Sequence, residues 1–150
     1  MTKKRVRRSP DEARTLILDA ADRVFAKKLP DAVGLKDVAR EAGVSHALVT
    51  HYFGTYDGLV EATLERRFHQ MMRHGALEEV RTMLPHWQPS ALWARAIGAP
   101  ELVAHLRGEI PLDEAVSRAI IASRQYAKSQ RIFFRGRMRD WRQVRIDSAS

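Results

Sequence analysis

The chain has 150 residues, 45% of them hydrophobic, and a formal net charge of +8. This length allows one or two small domains with a real core, and the positive charge favours a polyanionic partner. The sequence has no Cys, which excludes a disulfide framework and thiolate chemistry. The basic N-terminus lacks the apolar run of a signal peptide and no segment is apolar enough to span a bilayer, so we expect a cytoplasmic protein.

The chain opens with a cluster of basic residues, and two interpretations of it stay open. A flexible arm of this kind can follow phosphates or enter a minor groove, as other nucleic-acid-binding arms do, or it can be a solvated tail. The cluster consists of Lys3, Lys4, Arg5, Arg7 and Arg8.

A first helix is predicted from Ser9 to about Lys28. Ser9 can cap it, Pro10 suits its first position, and Glu12 completes a capping box. The helix is expected to end before Pro30, because proline cannot continue it.

Residues 35–53 are typical of two short helices joined by a tight turn. Val38 and Ala39 lie at helical spacing, Gly43 can turn the chain with a positive φ, and Ser45 can cap the second helix. Val49 then faces the first helix. An ordinary packed helix pair would share these features, but their register favours a helix-turn-helix that reads the major groove of DNA.

The outward face of the second helix is small and polar, which suits contact with base edges and phosphates. The predicted DNA-binding residues, besides the basic arm, are Lys36, Ser45, His46, Ala47, Thr50, His51, Tyr52 and Tyr56.

These residues resemble the TetR family of bacterial transcriptional repressors. The matching runs are residues 37–45 (DVAREAGVS), 51–54 (HYFG) and 57–60 (DGLV), preceded by the first helix. The resemblance implies an all-α subunit with a three-helix DNA-binding domain, followed by a short helical domain that dimerises and senses an effector. It places the first domain at residues 1–56 and the second at residues 57–150.

The second region is predicted to be helical throughout. A fourth helix capped by Thr55 or Asp57 ends near His74 or continues with a bend to Met83, and residues 85–90 form a linker. A helix over residues 91–106 is interrupted near Gly98, and another runs from Leu112 to about Lys128.

Apolar side chains of this region are candidates for a pocket that binds a small hydrophobic effector. Simple core packing is the alternative for each of them. The candidates are Phe68, Met71, Met72, Trp87 and Trp93.

The tail, residues 130–150, is rich in arginine, and three interpretations stay open. It is a basic helix that adds phosphate contacts, an out-of-frame sequence after a frameshift, or an ordinary solvated end.

Catalytic motifs are not evident, so no enzyme, cofactor or metal is predicted. Glu65 and His69 lie four residues apart, which fits a helix-surface pair better than a metal site. The sequence therefore predicts a homodimeric repressor that binds a near-palindromic operator and releases it when a ligand binds. The alternatives are a truncated or frameshifted member with weak DNA binding, and a ligand- or partner-binding module with a vestigial helix-turn-helix.

Overall fold

A computed structural model describes residues 7–28 and 32–137, and every regular element within them is helical. The predicted all-α class is therefore confirmed for the described residues. The α-helices are α1 (Pro10–Lys27), α2 (Leu35–Ala42), α3 (His46–Phe53), α4 (Tyr56–Arg73), α5 (Ala76–Met83), α6 (Ala99–Leu106) and α7 (Leu112–Arg137). Two short 3₁₀ helices, Leu84–His86 and Leu92–Arg95, lie between α5 and α6.

Local capping fixes where the first helices begin. The Ser9 hydroxyl accepts the Glu12 N–H at 3.2 Å, and the Ser9 N–H donates to the Glu12 carboxylate at 2.8 Å. Ser45 and Thr55 cap α3 and α4 in the same way, by accepting N–H groups of the first turn. The capping predictions for Ser9 and Ser45 are confirmed, and of the two candidates for α4 the cap is Thr55.

The turn between α2 and α3 is also as predicted. Gly43 has a φ of 67°, in the left-handed region that costs glycine little. The Val44 N–H donates to the Ala39 carbonyl at 3.0 Å and thereby closes the end of α2. Two short helices joined by a tight turn are therefore present.

Two hydrophobic clusters share α4. The first holds the fully buried Ile17, Val38, Val49 and Leu59, from α1 to the start of α4. The second lies where α4 meets α7 and is centred on Phe68. Its other buried members, Ala119 and Ile120, belong to α7. Because α4 contributes to both clusters, it connects the two halves of the fold, and the division at residues 56 and 57 stays a prediction.

An arginine clamp joins α1 to α4. Arg66 pairs with Asp19 at 2.7 Å and also with Asp22, whose other carboxylate oxygen pairs with Arg67 at 3.0 Å. Burial alone would lower the pKa of Arg66, but its hydrogen bonds with Asp22 and Asp19 raise that pKa above its ordinary value. The clamp therefore fixes α4 on α1 with a permanent charge.

The later helices agree with the prediction at one place and differ from it at another. The helix expected over residues 91–106 is interrupted near Gly98, as predicted: a 3₁₀ turn comes first, Gly98 has a φ of 91°, and α6 begins after it. The helix expected to end near Lys128 continues to Arg137, since no proline interrupts it. None of the helices in the described part of the chain is long and apolar enough to cross a membrane.

Candidate nucleic-acid interface

Most of α7 is cationic. From Ala115 to Arg137 its residues include no Asp or Glu. Its acidic residues, Asp113 and Glu114, lie in the first turn, where Glu114 pairs with Arg118. Positions 124, 128, 131 and 135 follow one another at intervals of four, three and four, which places them along one helix face. The basic residues are Arg118, Arg124, Lys128, Arg131, Arg135 and Arg137.

The first basic residue on this helix face contacts α4. The Arg124 guanidinium lies 3.9 Å from the Glu61 carboxylate and 3.7 Å from that of Glu65. Lys128, one turn further along, lines a groove of about 240 Å³ between α4 and α7. These contacts hold α7 against α4 as far as Lys128.

Exposed aromatic and aliphatic side chains accompany the cations. Tyr126 is 55% exposed, Ile132 63% and Phe133 48%. Tyr126 and Phe133 are seven residues apart and so share a helix face, and the Tyr126 hydroxyl accepts a hydrogen bond from the Gln130 amide at 2.7 Å. Because two residues advance about 200° around a helix, these rings lie on roughly the opposite side of α7 from positions 124, 128, 131 and 135. Exposed rings suit single-stranded or looped RNA, whose bases stack on aromatic side chains.

The residues predicted to touch bases lie on α3 and its cap. His46, Ala47, Thr50 and His51 are exposed as predicted. The Thr50 hydroxyl, however, donates to the His46 carbonyl at 3.1 Å, and the Ser45 hydroxyl is engaged as the helix cap. The hydroxyl groups of Ser45 and Thr50 therefore form hydrogen bonds within α3 itself.

The predicted phosphate-binding residues are dispersed. Lys36 is exposed on α2, whereas Tyr52 and Tyr56 are half-buried against the first cluster. The Tyr56 ring meets that of Phe25 edge to face at 6.3 Å. In the basic arm, Arg7 and Arg8 are exposed, and the remaining members, Lys3, Lys4 and Arg5, lie outside the described residues.

The predicted ligand residues come together only in part. Phe68, Met71 and Trp87 line an apolar groove of about 330 Å³ beside α5 and α6. Met72 packs instead against the second cluster, and the Trp93 side chain lies outside the described part of the structure.

Metal chemistry finds no support in the described residues. Glu65 and His69 approach to 3.9 Å as an exposed pair on one helix. Over residues 7–28 and 32–137, no three side chains of the kinds that bind metals form a group.

Comparison with known proteins indicates a different function from the one predicted. A family model described as IPP transferase matches residues 35–137. A protein of Paracoccus denitrificans (strain Pd 1222) named tRNA dimethylallyltransferase is 72% identical over 83 residues, which are 55% of this chain and 28% of that protein.

Two further relatives carry the same name. The protein of Cereibacter sphaeroides (strain KD131) is 66% identical over 83 residues, 55% of this chain and 26% of that protein. That of Dinoroseobacter shibae is 63% identical over 86 residues, 57% of this chain and 29% of that protein. The chain thus spans less than a third of the length of these relatives. No solved structure matches it.

These matches overturn the predicted identity. The expectations of a TetR-family repressor, a near-palindromic DNA operator and a homodimer are wrong, as is that of a chain without an enzymatic role. The architecture of a DNA-binding domain followed by an effector domain is not supported. The alternatives of a defective repressor or a vestigial module are not supported either. The physical reason is that apolar spacing, a glycine turn and a serine cap specify how two helices pack and do not specify what they bind.

Of the three interpretations of the Arg-rich tail, the out-of-frame origin is not supported for residues 130–137. The family match and the described part of α7 both reach residue 137. Residues 138–150 lie outside the described part. The signal that the sequence analysis missed is the absence of Asp and Glu after Glu114, which begins at residue 115. Counting acidic residues along the helix would have found Arg118, Arg124 and Lys128.

Proposed function

The chain belongs to the IPP transferase family, and from that premise we propose that it forms the tRNA-holding part of an enzyme that transfers a dimethylallyl group to tRNA. The transfer is the activity for which the curated relatives are named, and this chain spans 28% of the Paracoccus relative. We therefore assign to the chain the binding of the tRNA substrate, and to the complete enzyme the chemistry. The cytoplasmic location expected from the sequence is part of this proposal.

The observation that carries the proposal is the carboxylate-free, cationic stretch of α7. A tRNA is a dense polyanion, and each cation that neutralises a phosphate releases a bound counterion, which favours association. Arginine adds geometry to charge, because its planar guanidinium donates two parallel hydrogen bonds to one phosphate.

The exposed rings of α7 add a contact that charge alone does not provide. An unpaired base of a tRNA loop can stack on Tyr126 or Phe133, on the side of α7 away from positions 124, 128, 131 and 135. Both rings are about half exposed. Exposed apolar area of this kind is costly in water, and stacking against a base would cover it.

A triple variant tests the proposal. Lys128→Ala, Arg131→Ala and Arg135→Ala together remove three cations from one helix face. The expected result is a loss of tRNA affinity of about fiftyfold at 0.15 M salt, because each phosphate contact contributes about −0.7 to the slope of log K against log salt. Fluorescence anisotropy with an unmodified, labelled tRNA measures the affinity.

A matched control keeps the change in net charge the same. Arg73, Arg95 and Arg107 are exposed and lie on α4, a 3₁₀ turn and the end of α6. Their triple replacement by Ala should leave most of the affinity intact. Equal losses in the two triple variants would contradict a role for α7, as would an unchanged affinity in the α7 variant when circular dichroism shows that both are folded.

A further inference from the structure

A second surface suited to RNA lies on the opposite half of the fold, between α1 and α3. There a groove of about 420 Å³, which we name the α1–α3 groove, has an apolar floor and a basic rim. We infer that this groove binds an unpaired nucleotide of the tRNA substrate, with the base on the floor and its phosphates on Arg7 and Arg8. The inference rests on the proposed function. The lining residues are Arg7, Arg8, Ala13, Leu16, Val44, Leu48 and Tyr52.

The groove has the right chemistry for a base. Ala13, Leu16 and Leu48 offer an apolar surface, and Tyr52 adds a half-buried ring that meets the His51 ring edge to face at 5.1 Å. Its volume is within the range of small-molecule pockets. A base can enter such a groove only after leaving its stack, so the bound nucleotide must be unpaired.

The rim has the right charge for phosphates. Arg7 and Arg8 are exposed, and among the described residues neither makes an ion pair with a carboxylate. Residues 42–56, which contain α3, include no Asp or Glu. The first turn of α1 has two acidic residues, Asp11 and Glu12, and the Glu12 carboxylate is engaged by the Ser9 N–H. Both guanidinium groups are therefore available to an anion.

The walls of the groove are held in place by a contact across them. The Arg14 side chain donates to the Tyr52 carbonyl at 3.4 Å, and its guanidinium lies 5.0 Å above the Phe53 ring. Arg14 thus ties the end of α3 to α1. A groove fixed in this way binds without a large ordering cost.

Photo-crosslinking tests the inference directly. A short single-stranded RNA that carries 5-bromouridine is irradiated with the full-length protein, and the crosslinked peptides are mapped. The expected crosslink falls on Tyr52 or its neighbours in α3. Crosslinks confined to α7 would overturn the inference, as would equal competition by a duplex RNA of the same sequence.

Charge variants give a second, independent readout. Arg7→Ala with Arg8→Ala should lower tRNA affinity about tenfold at 0.15 M salt, because two phosphate contacts at about −0.7 each are lost from the salt slope. Replacement of both residues by Lys should restore much of the affinity. The control, Arg95→Ala with Arg107→Ala, should change it little. The same loss in both double variants would overturn the inference.

The experiments distinguish a failure of the proposed role of α7 from a failure of the inference about the α1–α3 groove. If the α7 triple variant binds tRNA normally but the groove still crosslinks, the proposed role of α7 fails and the groove stands. If the α7 variant loses tRNA while the groove neither crosslinks nor responds to the Arg7 and Arg8 replacements, the inference fails and the role of α7 stands.

Discussion

At the scale of single residues, backbone conformation and close approach decide which positions tolerate change. Gly43 and Gly98 both have positive φ, at 67° and 91°. A Cβ atom on Gly43 would meet nothing within 4 Å, whereas one on Gly98 would lie 2.6 Å from the Phe68 ring. A substitution at Gly43 therefore introduces backbone strain alone, whereas one at Gly98 introduces backbone strain and a steric clash.

Gly98→Ala is therefore expected to destabilise the protein more than Gly43→Ala. Gly43→Ala should cost about 1 kcal/mol, the value for a non-glycine residue in the left-handed region. Gly98→Ala should cost about 3 kcal/mol, because Phe68 must also move within the second cluster. Urea denaturation followed by circular dichroism measures both free energies of unfolding. Equal values for the two variants would show that the Phe68 contact is unimportant.

At the scale of elements, the sequence was informative where the signal is local. Ser9, Gly43 and Ser45 each act within a few residues, and the helix starts and the turn they predict are present. The break before α6 was predicted from Gly98, whereas the continuation of α7 beyond Lys128 was not. The binding partner could not be predicted from α3. The burial of Val49 shows that this face of α3 packs in the core, but it carries no information about a partner.

The arginine clamp makes a prediction about how α1 and α4 hold together. Arg66→Met should lower the free energy of unfolding by about 1 to 2 kcal/mol, between the values typical of exposed and buried ion pairs. The Arg66 side chain is only 19% exposed, and its removal takes this partner from Asp19 and leaves Asp22 with Arg67 alone.

Arg81→Met is the matched control for this clamp. It removes a pair with Glu78 in which both side chains are more than half exposed. Its expected effect is below about 0.5 kcal/mol, because exposed ion pairs contribute little. Thermal or urea unfolding of both variants decides the question, and a larger effect at Arg81 than at Arg66 would count against the clamp.

At the scale of the whole molecule, charge and family membership are consistent with one class of partner. The net charge of +8 favours a polyanion, but charge alone does not distinguish DNA from RNA. The relatives are named for tRNA, and our proposal that this chain binds tRNA rests on them. The surfaces that we propose for this contact are α7, with its basic residues and its exposed rings, and the groove between α1 and α3.

The most direct test of this account is a competition at physiological salt between unmodified tRNA and duplex DNA of equal phosphate number. Salt must be held near 0.15 M, because low salt strengthens all phosphate contacts and hides specificity. The account predicts that labelled tRNA is displaced by unlabelled tRNA at a concentration at least about tenfold lower than by duplex DNA. Equal displacement, or stronger displacement by the duplex, would contradict the assignment of tRNA as the partner of this chain.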